Sequence, residues 1–264
     1  MEVLMNKFAV NLSTIFTDVP FIDRFMKASD YGFSCVECQF PYAYSIEEIQ
    51  RDLQQHQLTM VLLNLPAGNW EKGDRGIAVD PNRVDEFRRS VTEGIKYAKA
   101  LNVSKIHCMA GIVSGMDSGI ARKVYLENLR FAGIEMAKHG LTVLIEPINP
   151  YDMPGYFLND IHQAREILNE LNLPNVKLQF DFYHIHRIHG NSLAIYQQYA
   201  EVVGHIQIAD FPGRHQPGTG EMDYLKIFHY LNETYDGYIG LEYTPNRKSE
   251  DSFEWLPLIG EGGK

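Results

Sequence analysis

Two rhythms of apolar and polar residues alternate along this chain. Short runs rich in β-branched residues are each followed by a loop with Gly, Pro or Asn, then by a longer stretch at helical spacing. The short runs predict strands at Phe8–Leu12, Cys35–Phe40, Thr59–Asn64, Lys105–Met109, Thr142–Glu146, Val176–Asp181, His205–Ile208 and Tyr238–Tyr243. Helix signals fall between them. Asp18 before Val19 and Pro20 reads as an N-cap with proline in the first turn. Ser45-Ile46-Glu47-Glu48 is a capping box. Val84, Phe87, Val91, Ile95, Ala98 and Leu101 share one helical face, and Tyr125 to Ala137 repeats the pattern. Asn159 is expected to cap a helix through Ile161, Ala164, Ile167, Leu168 and Leu171, and another begins at Leu225. The seven intervals between the first and last strand ends, Leu12 and Tyr243, average about 33 residues, close to one strand–helix unit. Eight such units predict an α/β fold, a (β/α)8 TIM barrel, with a doubly wound open sheet as competitor.

The strand ends separate these two. Residues two apart in a strand share a face. Val143 and Ile145 therefore oppose Glu146, and Leu178 and Phe180 oppose Asp181. Ile206 and Ile208 oppose Gln207, and Ile239 and Leu241 oppose Glu242. The first four strands end likewise on Asn11, Glu37 or Gln39, Asn64 and His107. In a closed barrel one inward polar residue per strand converges on the C-terminal mouth, where active sites of this architecture lie. In an open sheet the same pattern has no common destination. No linker or low-complexity segment divides the chain, so residues 1–264 read as a single TIM-barrel domain, the barrel at about 8–255 with a short C-terminal tail.

Charge narrows the function. The net charge is −10, against the basic surface that nucleic acid or an anionic membrane would require. An anionic substrate would then need local positive charge. The three cysteines describe no disulfide framework. Cys35-x-x-Cys38 has zinc-like spacing, but strand residues three apart point to opposite faces, so two core or barrel cysteines are expected. The start lacks a basic segment followed by an apolar core and cleavage site, and no apolar run approaches the roughly 18 residues of a membrane span. A cytoplasmic protein is the expectation.

Glu146, Asp181 and Glu242, with the amide Gln207, come from four consecutive strands. Three like charges at one mouth repel unless a proton is trapped or a cation is bound. Oxygen ligands suit a hard ion such as Mg²⁺ or Mn²⁺. Such an ion polarises carbonyl and hydroxyl oxygens, and flanking carboxylates can move a proton between adjacent carbons. This is equipment for an aldose–ketose type isomerisation.

The segments FPYAYS (40–45), GNWEKGDRG (68–76), HCMAG (107–111), IEPINPYDMPGYFL (145–158), QFDFYHIHRIHG (179–190), HIQIADFPGRHQPGTGEMDY (205–224) and GLEY (240–243) occur in this order. From Phe8 to about Trp255 the chain resembles the hydroxypyruvate isomerase and 2-oxo-tetronate isomerase family, within the xylose-isomerase-like TIM barrels. The resemblance implies a divalent metal held by Glu146, Asp181, Gln207 and Glu242, with Glu146 and Glu242 as the proton donor/acceptor pair. It implies an isomerase acting on a small anionic hydroxy-2-oxo acid through an enediolate. The three-carbon reaction is hydroxypyruvate to tartronate semialdehyde, and the four-carbon one is 2-oxo-tetronate to 3-oxo-tetronate.

Further residues are candidates for substrate contacts. In the wider superfamily a histidine at the place of His184 touches substrate oxygens; alternatively it is a buried loop histidine with a satisfied hydrogen bond. His107 and Asn64 end inward positions, and His107 could bind substrate or hold Glu146. Arg214, after strand seven, matches a carboxylate bidentately. Lys72 and Arg75 could add charge from a loop at Pro66 to about Asp80, long enough to act as a lid or simply a solvated charged loop. His186 and His189 read as scaffold or surface. Phe253 and Trp255 are expected to be exposed aromatics serving a homo-oligomer interface or capping the barrel. The rivals are a ketose 3-epimerase acting on a neutral sugar, which usually has histidine where Gln207 stands, an endonuclease-IV-like repair enzyme, and a non-catalytic sugar-acid-binding barrel.

Overall fold

The computed structural model describes residues 7–113 and 115–257. Eight strands, β1 (Phe8–Asn11), β2 (Cys35–Cys38), β3 (Thr59–Asn64), β4 (Lys105–His107), β5 (Thr142–Ile145), β6 (Val176–Asp181), β7 (Val203–Ile208) and β8 (Ile239–Leu241), pair in sequence order into a closed barrel. All pairings are parallel, and β1 closes on β8 with Phe8 opposite Ile239 and Val10 opposite Leu241. Closure excludes the open sheet. Several strands are shorter than their apolar runs, because the polar end residues Glu146 and Glu242 leave the ladder and turn into the mouth.

The helices are α1 (Asp23–Asp30), α2 (Ile46–Gln55), α3 (Val84–Ala100), α4 (Ser118–Ala137), α5 (Ile161–Leu171), α6 (Phe182–His189), α7 (Ser192–Tyr199) and α8 (Tyr224–Thr234). The Ser45–Glu48 capping box is present. Asp18 does not cap α1: Pro20 opens a turn, Asp23 N bonding Pro20 O, and Arg24 pins that turn by donating to Leu12 O and Val19 O. Asp160 rather than Asn159 caps α5, accepting from His162 N and Gln163 N, while Asn159 donates to Tyr156 O. Helix α4 starts well before Tyr125, capped by Asp117, and its first residues are exposed and so carry no apolar signal. Asp223 caps α8.

The two faces of the barrel wall differ. Outward residues Phe8, Val10, Val36, Met60, Leu63, Ile106, Val143, Ile145, Leu178, Phe180, Ile206, Ile208, Ile239 and Leu241 join the helices in one continuous core. Each such burial contributes about 1.5–3 kcal/mol, so this outer interface supplies the stability. The inward positions at the C-terminal strand ends are left free for chemistry. Inside, Ala9, Cys35, Val61, Leu62 and Leu144 form a small apolar plug. Cys35 belongs to the plug and Cys38 to the outer core, as their opposite faces require. No helix of the described residues is long and apolar enough to cross a membrane.

Residues 250–257 pack against the barrel. A 3-10 turn at Glu250–Phe253 leads to Trp255, which stacks on Phe228 of α8 (centroids 5.4 Å, 8° between planes) and meets the edge of Phe8 at 5.3 Å. Phe253 and Trp255 are 7% and 6% exposed, which corrects the expectation of exposed aromatics. This segment fills the gap in the helical ring between α8 and α1, so these two rings are core and offer no interface.

Candidate active site

The polar strand ends meet at the mouth of the barrel. Asn11, Glu37, Asn64, His107, Glu146, Asp181, Gln207 and Glu242 are all buried. Asn11 Nδ2 donates to both Glu37 Oε1 (2.9 Å) and Glu242 Oε1 (3.2 Å), tying β1, β2 and the end of β8 together. Gln39 Nε2 adds a third hydrogen bond to that cluster, 3.0 Å from Glu242 Oε1. Gln207 is held on both sides: its Nε2 donates to Glu37 Oε1 (2.7 Å), and its Oε1 accepts from Gln179 Nε2 (2.6 Å). Burial raises Glu37 to about 7 while the bonds from Gln207 and Asn11 pull it down; its ionised form only accepts and so holds the amide nitrogen of Gln207 toward it. His205 Nε2 lies 2.8 Å from the other Glu37 oxygen.

Asp181 has two tasks. It ends β6 and is the N-cap of α6, its Oδ1 accepting from Tyr183 N at 2.8 Å. No loop intervenes, so His184 sits in the first turn of a helix rather than in a loop. That spacing sets His184 Nε2 3.6 Å from Asp181 Oδ2. Arg214 Nη2 donates to Glu242 Oε2 (2.8 Å) and lies 3.7 Å from Asp181 Oδ2. Arg214 reaches the mouth from the loop after β7, whose buried Asp210 accepts from the backbone N–H groups of Gly218, Gly220 and Met222.

The electrostatics follow from crowding and burial. Burial, then the charges of Glu242 and Asp181, push the Glu146 carboxyl well above the usual range. Burial raises Asp181 to about 7, with Arg214 opposing and Glu242 adding. Burial also raises Glu242 against the pull of Arg214. His107 Nε2 is 3.6 Å from Glu146 Oε2, and burial lowers this imidazole to about 3, so it is neutral. Glu146 Oε1 and Asp181 Oδ2 are buried without a hydrogen-bond partner. An unsatisfied buried carboxylate oxygen costs free energy that a cation would recover. Polar atoms of Glu146, Asp181 and His184 all lie within 4.8 Å of one another, and the two carboxylates of this buried set fit a divalent metal.

Asn64 is buried at the end of β3, and its carbonyl accepts from Tyr42. Lys72 is exposed at the tip of the loop after β3. Arg75 turns onto its own loop, its guanidinium 3.9 Å over the Trp70 ring and bonded to Trp70 O and Asp74 O. The base of that loop is fastened: Gly76 bridges Ala110, and Asn128 donates to Ala78 O. Four further residues at the site, Gln179, Asn149, Asp152 and Tyr183, do not stand out in the sequence. Gln179 shares the inward face of β6 with Asp181, a signal available from alternation. Asn149 and Asp152 lie in a loop, where no periodicity points to them.

Comparison with known proteins agrees with the architecture. The family model described as Xylose isomerase-like TIM barrel matches residues 25–259. The hydroxypyruvate isomerase of Escherichia coli is 41% identical over 254 residues, 96% of this chain and 98% of that protein. The 2-oxo-tetronate isomerase of Cupriavidus necator is 40% identical, covering 97% of this chain and all (100%) of that one. The crystal structure of a protein named AP endonuclease, family 2, from Brucella melitensis superposes with a TM-score of 0.93 at 40% identity, over 96% of this chain and 99% of the other. With the barrel closed in sequence order and its polar strand ends gathered at one mouth, the chain belongs to the xylose isomerase-like TIM barrel family.

Proposed function

We infer that this protein is an enzyme, an isomerase of a small hydroxy-2-oxo acid, moving a proton between C3 and C2 by way of an enediolate. One observation carries the reading. The carboxylates Glu146, Asp181 and Glu242 share one buried mouth with a guanidinium, Arg214, that already bonds a carboxylate there. A substrate carboxylate can take the place of Glu242 on Arg214. That exchange would bind the acid and release Glu242 for chemistry in one event.

Glu146 and Glu242 are the proposed acid–base pair. One removes the proton from C3 and the other delivers one to C2, while the hydroxyl proton passes from the C3 oxygen to the C2 oxygen. Atoms and electrons balance within the substrate, so no co-reactant is needed. Buried carboxyls with raised proton affinity are suited to this task near neutral pH. Glu146, Asp181, Gln207 and Glu242 are the proposed holders of a divalent metal, Mg²⁺ or Mn²⁺. When bound, it would polarise the two oxygens flanking the transferred proton. Gln39 and Asn11 orient Glu242, and Glu37 and Gln179 orient Gln207.

An amide at position 207 argues against the ketose 3-epimerase reading, and a neutral sugar would leave Arg214 without an anionic partner. The Brucella protein carries the name of an endonuclease. A DNA-handling mouth would need a basic surface, whereas this chain has a net charge of −10 and three carboxylates at the mouth.

The test is turnover of hydroxypyruvate and of 2-oxo-tetronate by the purified chain, before and after chelation and with Mg²⁺ or Mn²⁺ restored. One of the two acids should be isomerised, with activity lost to the chelator and regained with metal. Glu146→Gln should lower kcat by about 10²–10⁴-fold. If neither acid turns over, or Glu146→Gln keeps full kcat, the assignment is wrong.

A further inference from the structure

Asn149 lies in the loop after β5 and is completely buried. Every hydrogen-bonding atom of its amide is committed. Oδ1 accepts from two backbone N–H groups, Tyr151 N at 3.1 Å and Asp152 N at 2.9 Å. Backbone N–H groups only donate, so this end of the amide must be the oxygen. At the other end, Nδ2 donates to Asp152 Oδ2 at 3.0 Å. That oxygen also accepts the Tyr183 hydroxyl at 2.8 Å, and Arg187 Nη1 is 3.3 Å from the second Asp152 oxygen. Paired with Arg187, Asp152 is a carboxylate and only accepts. The orientation of Asn149 is thus set twice, by donors on one side and an acceptor on the other.

The second Nδ2 hydrogen faces His184 Nδ1, 2.7 Å away. An N–H at that distance requires a lone pair on Nδ1, so the ring proton resides on Nε2. Nε2 is the nitrogen that looks toward the carboxylates, 3.6 Å from Asp181 Oδ2. The opposite tautomer would offer an Nε2 lone pair to a metal, but it would set Nδ1–H against Asn149 N–H, donor against donor. A protonated imidazolium meets the same conflict.

We propose that Asn149 is a positioning residue that fixes His184 in its Nε2–H tautomer, making His184 a hydrogen-bond donor to a substrate oxygen and not a metal ligand. The donor role rests on the reading of the mouth as a substrate site; the tautomer does not. Arg187 and Asp152 anchor the far end of the relay, so Arg187, Asp152, Asn149 and His184 form one line from the partly exposed rim into the mouth.

The tautomer is read directly by ¹H–¹⁵N correlation of the histidine side chains in the full-length, metal-free protein, with His184 assigned by its loss in His184→Gln. The wild type should show neutral His184 protonated on Nε2. Asn149→Asp would put a carboxylate oxygen against Nδ1 and pull the proton there. Asp152→Asn added to it removes the carboxylate–carboxylate contact that the single change creates. The double variant should show the Nδ1–H tautomer and a kcat lowered on the order of 10- to 100-fold. Wild-type His184 protonated on Nδ1, or an unchanged tautomer in the folded double variant, would overturn the proposal. If the double variant does not fold, the wild-type spectrum alone decides. A correct tautomer in a protein that isomerises neither acid would leave the tautomer standing and sink only the functional reading.

Discussion

Arg214 shows how much one residue at this mouth carries. Its backbone is in the left-handed region, φ 55°, uncommon for a side chain with a Cβ. The conformation is held by Arg214 N bonding Asp210 O at 2.8 Å and Thr244 N bonding Arg214 O at 2.9 Å. It sets one guanidinium nitrogen, Nη2, against both Glu242 and Asp181, and its planar fork can grip a substrate carboxylate bidentately, which a lysine, a single point of charge, cannot. Arg214→Lys should therefore raise KM for the acid substrate by about 10- to 100-fold, the equivalent of a charge-assisted hydrogen bond of about 1.5–3 kcal/mol. Steady-state kinetics on the isomerised acid measure it, and an unchanged KM would remove Arg214 from substrate binding. Residues of this kind divide by legibility. Glu146, Asp181, Gln207 and Glu242 stand out because they break an apolar alternation. Asn149 breaks no pattern, and its importance arises from partners that meet it only in three dimensions.

At the scale of elements, the site is built from junctions rather than from strand or helix interiors. Asp181 is at once the end of β6 and the cap of α6, which brings His184 beneath it. The spacing of 181 and 184 is visible in the sequence, but the helix is not, because a histidine-rich segment carries a weak apolar signal. The loop after β7 is the second junction. Asp210 gathers three of its N–H groups, and the Cβ of any residue at position 220 would collide with Phe211 O, so Gly220 is required there. Asp210→Asn replaces one acceptor by a donor facing those N–H groups. The loop should loosen and Arg214 with it, so kcat/KM should fall by at least about tenfold, the order expected when a buried donor is left unpaired. A crystal structure of the variant with the Arg214–Glu242 bond intact and full kcat/KM would contradict this.

For the whole molecule, stability and chemistry occupy opposite sides of the barrel wall and respond separately to substitution. Trp255 packs on Phe8 and Phe228, far along the chain from every mouth residue except Glu242, and closes the helical ring. Trp255→Ala should destabilise the fold by about 3–5 kcal/mol. Denaturant unfolding measures the loss, and kcat of the remaining folded enzyme should match the wild type. A stability unchanged by the substitution would mean that this segment is not part of the core.

The order of apolar and polar residues by itself determined the eight strand–helix units and the strand-end carboxylates, because alternation is a consequence of local backbone geometry, whereas the closure of β1 on β8 is a tertiary pairing. It also specified a net negative chain whose positive charge had to be supplied locally. Tertiary structure alone decided the rest: that Arg214 rests on Glu242, that Glu37 and Gln179 orient Gln207, and that Asn149 sets the proton of His184. These are contacts between residues distant in sequence, and donor–acceptor polarity has no period along a chain. The aromatic segment at the end of the chain belongs with them, since only packing reveals that Trp255 closes the ring instead of facing solvent.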